Sequence, residues 1–134
     1  MSYSPNTRAA TAYREREVLN ATPGRLVVIV YDHILSNLFR ARAAATADKL
    51  EMRLEALTRA RAGLMELLSA LDVQKGGVVA ENLRSLYGYL YTELMEEDRK
   101  PDAKRLERLM GMVQELRTAF ATISGEAPAL GSAA

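Results

Sequence analysis

Two adjacent glycines, Gly76 and Gly77, interrupt the middle of the chain and constrain its fold more than any other feature. Before them an apolar segment ends at Leu71, and after them apolar residues recur at helical spacing from Val79 to Leu94. A glycine just past such a segment closes a helix, because it adopts left-handed backbone geometry without a Cβ clash. The two glycines therefore predict a turn between two long amphipathic helices.

Boundary signals elsewhere in the sequence predict the remaining helix ends. Thr22 followed by Pro23 is typical of a helix start, since threonine caps helices and proline fits the first helical position. Asp48 predicts the cap of a second helix. Pro101 predicts the end of the third helix, which is expected to run from about Val78 to Asp98. The fourth helix repeats apolar residues in steps of three and four: Leu106, Leu109, Val113, Leu116, Phe120 and Ile123.

The start of the first helix is unusually apolar. The segment from Leu26 to Tyr31 is rich in β-branched residues, which also suit a strand. A helix is favoured because a helix-start signal precedes the segment and no turn residue follows before about Ala45. Its predicted core face comprises Val27, Val30, Ile34, Leu38 and Ala41, and the apolar residues expected off that face are Val28, Ile29 and Leu35. This is more apolar surface than one helix interface buries.

Four helices of about 20 residues joined by short connections predict an all-α fold, an antiparallel up-down four-helix bundle. The 134 residues suit a single domain. We expect residues 1–22 to form an N-terminal leader with a short capping segment, residues 23–124 to form the bundle, and residues 125–134 to form a flexible tail. With two Phe and no Trp, the core is expected to rest on aliphatic side chains.

The residues that enzymes and metal sites require are scarce. Cysteine is absent, which excludes disulfides and thiolate ligands. A di-iron site in a helical bundle needs two Glu-x-x-His pairs. This chain has a single histidine, His33, and Val30 stands where the glutamate would be required. No serine has a plausible base. We therefore expect no catalytic residue, no metal and no cofactor, in a protein that is not an enzyme.

Charge and hydropathy argue against nucleic-acid and membrane partners. The 18 basic and 17 acidic residues are interspersed and give a net charge of +1, so nucleic-acid binding is not expected. The longest apolar segment, residues 26–31, is far shorter than the ~20 residues that span a bilayer, so no membrane insertion is expected. The first residues lack the basic start and apolar core of a secretory signal. A cytoplasmic location is expected.

A surplus of aromatic surface remains on the third helix. Tyr87 lies close to the predicted buried leucines, and Tyr89 and Tyr91 lie on opposite flanks. Each ring either covers a helix edge with its hydroxyl in water or anchors a protein partner. The first alternative is favoured for Tyr87, and both stay open for Tyr89 and Tyr91.

Three segments carry a recognisable pattern: Ala12-Tyr13, Val18, Ala21-Thr22-Pro23-Gly24, Leu26 and Tyr31-Asp32; then Leu71-Asp72, Lys75-Gly76-Gly77, Ala80 and Asn82-Leu83; then Leu86-Tyr87, Tyr89 and Leu90. In this order and spacing they resemble the flagellin-specific secretion chaperones of bacteria, the FliS family. The chain departs from the family pattern at four places, namely Gly88, Thr92-Glu93, Asp98 and Phe120, where the family commonly has an acidic residue, a basic pair, an asparagine and a tryptophan.

The resemblance implies a fold and a function. The fold is an antiparallel four-helix bundle whose N-terminal segment caps a hydrophobic groove. The function is that of a cytoplasmic export chaperone, which binds the C-terminal segment of flagellin, prevents premature polymerisation and keeps it competent for flagellar type III secretion. The flagellar export gate is a further expected partner.

We expect the partner-binding surface to combine residues of the leader, the first helix and the third helix: Tyr13, Val18, Val28, Ile29, Leu35, Tyr87, Tyr89 and Tyr91. An amphipathic helix of a disordered partner would enter a groove on this surface. The alternative is a generic helical protein-interaction module, or a homodimer that buries its apolar surplus against itself.

Overall fold

The computed structural model describes residues 9–12 and 23–124. Residues 9–12 are helical, and four long helices follow: α1 Pro23–Thr46, α2 Leu50–Ala70, α3 Val73–Arg99 and α4 Ala103–Ile123. No strand occurs within these ranges. The predicted all-α antiparallel bundle is confirmed. Most of the expected leader, and the whole expected tail of residues 125–134, lie outside the described residues.

Ion pairs between α1 and α4 establish how the bundle closes. The Arg117 guanidinium donates to the Asp32 carboxylate, with Nε and Oδ1 2.9 Å apart. Ten residues further along α1, Arg42 lies 3.9 Å from Glu107, ten residues back along α4. The two helices are therefore antiparallel. Helix α1 packs most extensively on α2 and next on α4, whereas α3 packs mainly on α2 and only slightly on α4.

A glycine sets the distance between α1 and α2. A Cβ atom at Gly63 of α2 would lie only 2.6 Å from Cγ1 of Ile34 on α1. Glycine therefore allows a close approach of the two helices that alanine would prevent without a shift of the Ile34 side chain.

The core is aliphatic apart from a cluster of three rings. Tyr31 of α1 and Tyr87 of α3 are buried and hydrogen-bond through their hydroxyl groups. The ring centroid of Phe120 on α4 lies 5.5 Å from that of Tyr31. The fully buried aliphatic residues are Val28, Ile34, Leu38, Leu57, Leu64, Leu90, Leu94, Leu109 and Val113.

One of the predicted helix starts is wrong, and another gains an extra turn. Asp48 does not cap α2: it has a φ of 56° in the preceding turn, and Lys49 occupies the cap position without a side-chain hydrogen bond. The long part of α3 starts at Val78, directly after the non-helical Gly77, as predicted. An extra turn from Val73 precedes it, because the Asp72 carboxylate accepts a hydrogen bond from the backbone N–H of Lys75 and caps that turn.

The left-handed backbone geometry predicted for a glycine in this turn occurs at Gly77. This residue has φ 55° and ψ −132°, the one non-helical residue inside α3, and it separates the first turn of that helix from the rest. The positive φ lies in the region that favours glycine. The turn therefore bends α3 just after its start instead of following the end of α2.

The predicted inner face of α1 is wrong in part. Val28 and Leu35 were expected off the core, yet they are 0% and 7% exposed. Val27 and Val30, expected in the core, are half-buried. The physical reason is that α1 packs against both α2 and α4, so two of its faces are buried. At the end of α4, Ile123 was expected in the core and is 80% exposed.

Candidate functional site

An apolar groove runs along the outside of the α1–α2 contact. It has a volume of about 450 Å³. Its walls come from the first turns of α1 and the last turns of α2: Leu26, Val27, Ile29, Val30, Leu67 and Ala70. The α1 wall extends from residue 26 to residue 33, which is about 10 Å at the helical rise and equals two turns. A groove of this kind accepts the apolar face of a short helical segment.

Two polar side chains mark the edges of this groove. His33 lies on the α1 edge and Glu66 on the α2 edge, and both are exposed. The Asn37 side chain contacts both the backbone and the ring of His33. Its Nδ2 donates to the His33 carbonyl oxygen at 2.9 Å and lies 3.3 Å from His33 Nε2. The groove is thus apolar along its floor and polar at its edges, as protein contact surfaces generally are.

The predicted contact residues of α1 divide between the groove and the core. Ile29 lines the groove and is half-buried. Val28 and Leu35 point into the bundle, which corrects the prediction that they form an off-core surface. A partner would reach these two side chains only if the bundle opened. Tyr13 and Val18 lie outside the described residues.

The three tyrosines of α3 lie in different surroundings. Tyr87 is 1% exposed and its hydroxyl bonds to Tyr31 in the core, so it is not a surface contact, and the favoured alternative of a ring at the helix edge with its hydroxyl in water is wrong as well. Burial raises its pKa, and burial raises the pKa of Tyr31 as well. Tyr89 is 43% exposed. Its hydroxyl donates to Glu93 and accepts from Arg108 of α4, each at 3.2 Å.

Tyr91 is half-buried on the opposite flank of α3. It lies two turns before Asp98 on the same face, and the Asp98 carboxylate binds Arg61 of α2 at 2.9 Å. Tyr91 therefore faces the α2 side of the helix, whereas Tyr89 faces the α4 side. Neither tyrosine lines the α1–α2 groove that contains Ile29.

Sequence reasoning missed most of the groove. Leu26, Ile29, Val30 and His33 follow the i, i+3, i+4, i+7 spacing of a second helix face, which the first-helix pattern contained but did not separate from the core face. On α2, the residues that complete the groove are Glu66, Leu67 and Ala70. Their assignment depends on how close α2 lies to α1, which the sequence signalled only through Gly63.

The described residues show no grouping of three or more side chains suited to bind a metal ion. Within the same ranges, no helix combines the length and apolar character needed to cross a bilayer. The groove itself combines apolar side chains with two polar ones, His33 and Glu66.

Comparison with known proteins identifies the family. Residues 6–127 match the family described as flagellar protein FliS. The chain is 32% identical over 114 residues to the flagellar secretion chaperone FliS of Salmonella typhimurium, with 84% of each chain covered. It is 29% identical over 110 residues to the flagellar secretion chaperone FliS of Bacillus subtilis, covering 82% of this chain and 81% of the relative.

The match extends across all four helices and most of the chain, and these relatives are named as chaperones rather than enzymes. The helical bundle is also the fold that the resemblance implied. The chain belongs to the FliS family of flagellar secretion chaperones.

Proposed function

We propose that this protein is a cytoplasmic export chaperone that binds the C-terminal segment of flagellin. Binding keeps flagellin from polymerising prematurely and keeps it competent for flagellar type III secretion. Membership in a family of flagellar secretion chaperones supports the class of function. The single observation that supports the mode of binding is the apolar groove between α1 and α2.

The groove suits a helical segment of an otherwise disordered client. Burial of the client's apolar face contributes about 25 cal/mol per Å² of apolar area, before the costs of ordering the client are subtracted. Disordered partners lose chain entropy when they bind, but they can wrap around a large surface. Because the groove is only two helical turns long, we propose that the client continues beyond it and also contacts Tyr89 and Tyr91 on the two flanks of α3.

The N-terminal leader is proposed to regulate access to the groove. Tyr13 and Val18 would occupy it in the absence of client, since they are among the few large apolar side chains of a largely polar segment. The client would then displace the leader. The flagellar export gate is proposed as the second partner, which receives the chaperone with its client bound.

The test is titration of the purified protein with a peptide comprising the last ~50 residues of flagellin, since clients of this kind fold on binding. Calorimetry should show saturable binding with a negative heat-capacity change, the mark of apolar burial. Circular dichroism should show a gain of helix. A peptide of the same composition in scrambled order is the control. Absence of binding, together with self-association in sedimentation experiments, would favour the homodimer alternative instead.

A further inference from the structure

The apolar groove between α1 and α2 has two chemically different ends. Gly63 of α2 lies close to Ile34 of α1, just past the point where the groove closes near His33. From there the groove extends toward the start of α1, where Leu26 lies on one wall and Ala70 on the other. Its outer end is therefore the end of the bundle at which α1 begins and α2 ends, and its inner end lies near the middle of both helices.

A row of polar side chains on α1 continues from the inner end of the groove. His33 lines the groove, and Nδ2 of Asn37 lies 3.3 Å from its Nε2. The Oδ1 atom of Asn37 accepts from Nη1 of Arg40 at 3.4 Å. Because Asn37 precedes Arg40 by three residues, this bond directs the guanidinium back along α1 toward the groove. Arg40 thus places a positive charge just beyond the inner end.

The charge of Arg40 has no carboxylate partner in the part of the chain that the structure describes. Within that part, its guanidinium bonds to the neutral amide of Asn37 alone. On α2, Arg59 lies about one turn beyond Gly63, at the level of Asn37, and it pairs with Glu55 at 2.8 Å. A guanidinium has five N–H donors. Since Arg40 is exposed, most of its donors are available to a bound partner.

An opposite charge lies nearer the outer end of the groove. Glu66 of α2 lines the groove and is exposed, and no cation among the described residues pairs with its carboxylate. It follows Gly63 by three residues toward the outer end, whereas Arg40 follows Ile34 by six residues in the other direction. At the helical rise the two positions are roughly 13 Å apart along the groove axis.

This pair of charges favours one direction of a bound helix. A helix carries a partial positive charge at its N-terminus and a partial negative charge at its C-terminus. A helix that starts near Glu66 and ends toward Arg40 meets an opposite charge at both ends, whereas the reverse direction brings like charges together. A chain terminus also carries a free carboxylate, whose two oxygens match the planar fork of a guanidinium.

The apolar surface beyond the outer end favours the same direction. Helix α2 ends there at Ala70, and α3 begins three residues later. Val78 and Val79 of α3 are both exposed. A client whose C-terminus lies at Arg40 leaves the groove at this end and can continue over the two valines toward the flanks of α3. A client of the reverse direction would leave the groove past charged side chains instead.

We propose that the last helix of the client lies in the groove parallel to α1 and that its terminal carboxylate pairs with Arg40. Glu66 opposes the reverse direction, because it would repel that carboxylate. This inference rests on the proposed function, which supplies a client bound by its C-terminal segment. It adds the direction of binding and the residue that recognises the end of the client chain.

The first test measures the coupling between Arg40 and the client terminus. The flagellin peptide is prepared with a free and with an amidated C-terminus, and each form is titrated by calorimetry into the wild type and into Arg40→Gln. Amidation should weaken binding to the wild type about two- to fivefold, the scale of an exposed ion pair. It should not change binding to Arg40→Gln. An equal effect on both proteins, or none on the wild type, overturns the proposal.

Two further variants are controls for this coupling. Arg40→Lys keeps a positive charge and should retain part of the preference for the free acid. Lys104→Gln removes an exposed cation outside the groove lining, at the start of α4, and should respond to amidation as the wild type does. Loss of the response in Lys104→Gln would assign it to the net charge of the protein and overturn the proposal.

A nitroxide label on the peptide measures the direction itself. The protein has no cysteine, so a single cysteine in the peptide takes the label selectively. A label beside the last residue should broaden the amide resonances of Asn37 and Arg40 more than that of Leu26. A label about ten residues earlier, roughly 15 Å along a helix, should do the reverse. The opposite pattern overturns the proposed direction.

The same measurements separate this inference from the proposed function. A flagellin peptide that binds with the opposite pattern, or without sensitivity to amidation, removes the direction and the role of Arg40 but leaves the chaperone function in place. A peptide that does not bind in either form contradicts both.

Discussion

The hydroxyl groups of Tyr31 and Tyr87 meet in the core, where neither residue is more than 1% exposed. A buried hydroxyl without a partner is costly, and here each satisfies the other. We expect Tyr31→Phe and Tyr87→Phe each to lower the free energy of unfolding by about 1–3 kcal/mol, because each leaves one buried hydroxyl unpaired. The double variant should cost less than the sum. Urea unfolding of the four proteins measures this coupling, and additive costs would contradict it.

The same pair makes stability depend on alkaline pH. Burial raises the pKa of both tyrosines, so the folded protein holds them neutral above the value of about 10 at which the unfolded chain ionises them. Their contribution is complete below that pH and is lost as the pH rises further. We expect the urea midpoint to fall above pH ~10, and to fall less in the double Tyr→Phe variant. Parallel declines in both proteins would assign the effect to other groups.

Gly77 is the other residue whose conformation the sequence predicted. With φ at 55°, a β-branched side chain would be strained. We expect Gly77→Val to lower the free energy of unfolding by about 1–3 kcal/mol. Gly88→Ala is the control, since Gly88 is helical and a Cβ there meets nothing within 4 Å. It should raise stability by up to ~1 kcal/mol. An unchanged thermal midpoint for Gly77→Val would show that the turn tolerates a side chain.

For single helices, the sequence predicted which segments are helical better than it predicted which face each helix buries and where each helix starts. Helix α4 follows one apolar stripe, and its residues up to Val113 are buried as expected. Helix α1 has apolar residues nearly all round, so periodicity alone could not separate Val28, which is buried, from Ile29, which lines the groove. That distinction arises from packing on two neighbours, information that a single helix pattern does not contain.

Val28 and Ile29 are adjacent in the chain but lie in different surroundings, so substitutions at the two positions should have different effects. Ile29→Asp should weaken flagellin-peptide binding by more than ~1 kcal/mol, as loss of a contact anchor does, while the bundle keeps its helicity and cooperative melting. Val28→Asp, one residue earlier, should unfold the protein, because it would bury an unpaired carboxylate. Calorimetry and thermal melting distinguish the two effects.

Two further variants define the limits of the contact surface. Tyr91→Ala should also weaken binding by more than ~1 kcal/mol if the client reaches α3. Ile123→Asp, at an exposed apolar residue outside the groove lining, should leave affinity unchanged. Wild-type affinity in a folded Ile29→Asp variant would move the client to another face.

For the whole molecule, the sequence predicted the architecture and only part of the candidate site. Four helical patterns joined by short connections predicted the bundle, yet of the described contact residues only Ile29 lies in the groove. Tyr87 instead pairs with Tyr31, 56 positions away in the chain. Such a pairing depends on the register of α1 against α3, which no local pattern specifies.

A deletion that leaves the four helices intact tests whether the leader controls access of the client to the groove. Deletion of residues 1–17 should preserve or raise affinity for the flagellin peptide, because the peptide would no longer compete with Tyr13. A hydrophobic dye should bind the shortened protein more strongly, since apolar surface is exposed. Loss of peptide binding in a protein that still melts cooperatively would instead make the leader part of the recognition surface.

The packing of α1 against α4 also bears on the synthesis of the protein. Helices α3 and α4 are consecutive but pack on each other less than α1 packs on α4, and the Asp32–Arg117 pair joins positions 85 residues apart. The core is therefore completed by the first and last helices, so a nascent chain cannot close its bundle until α4 has left the ribosome. Until then the face of α1 that packs on α4 lacks a cover, and a ribosome stalled before α4 should carry a protease-sensitive chain.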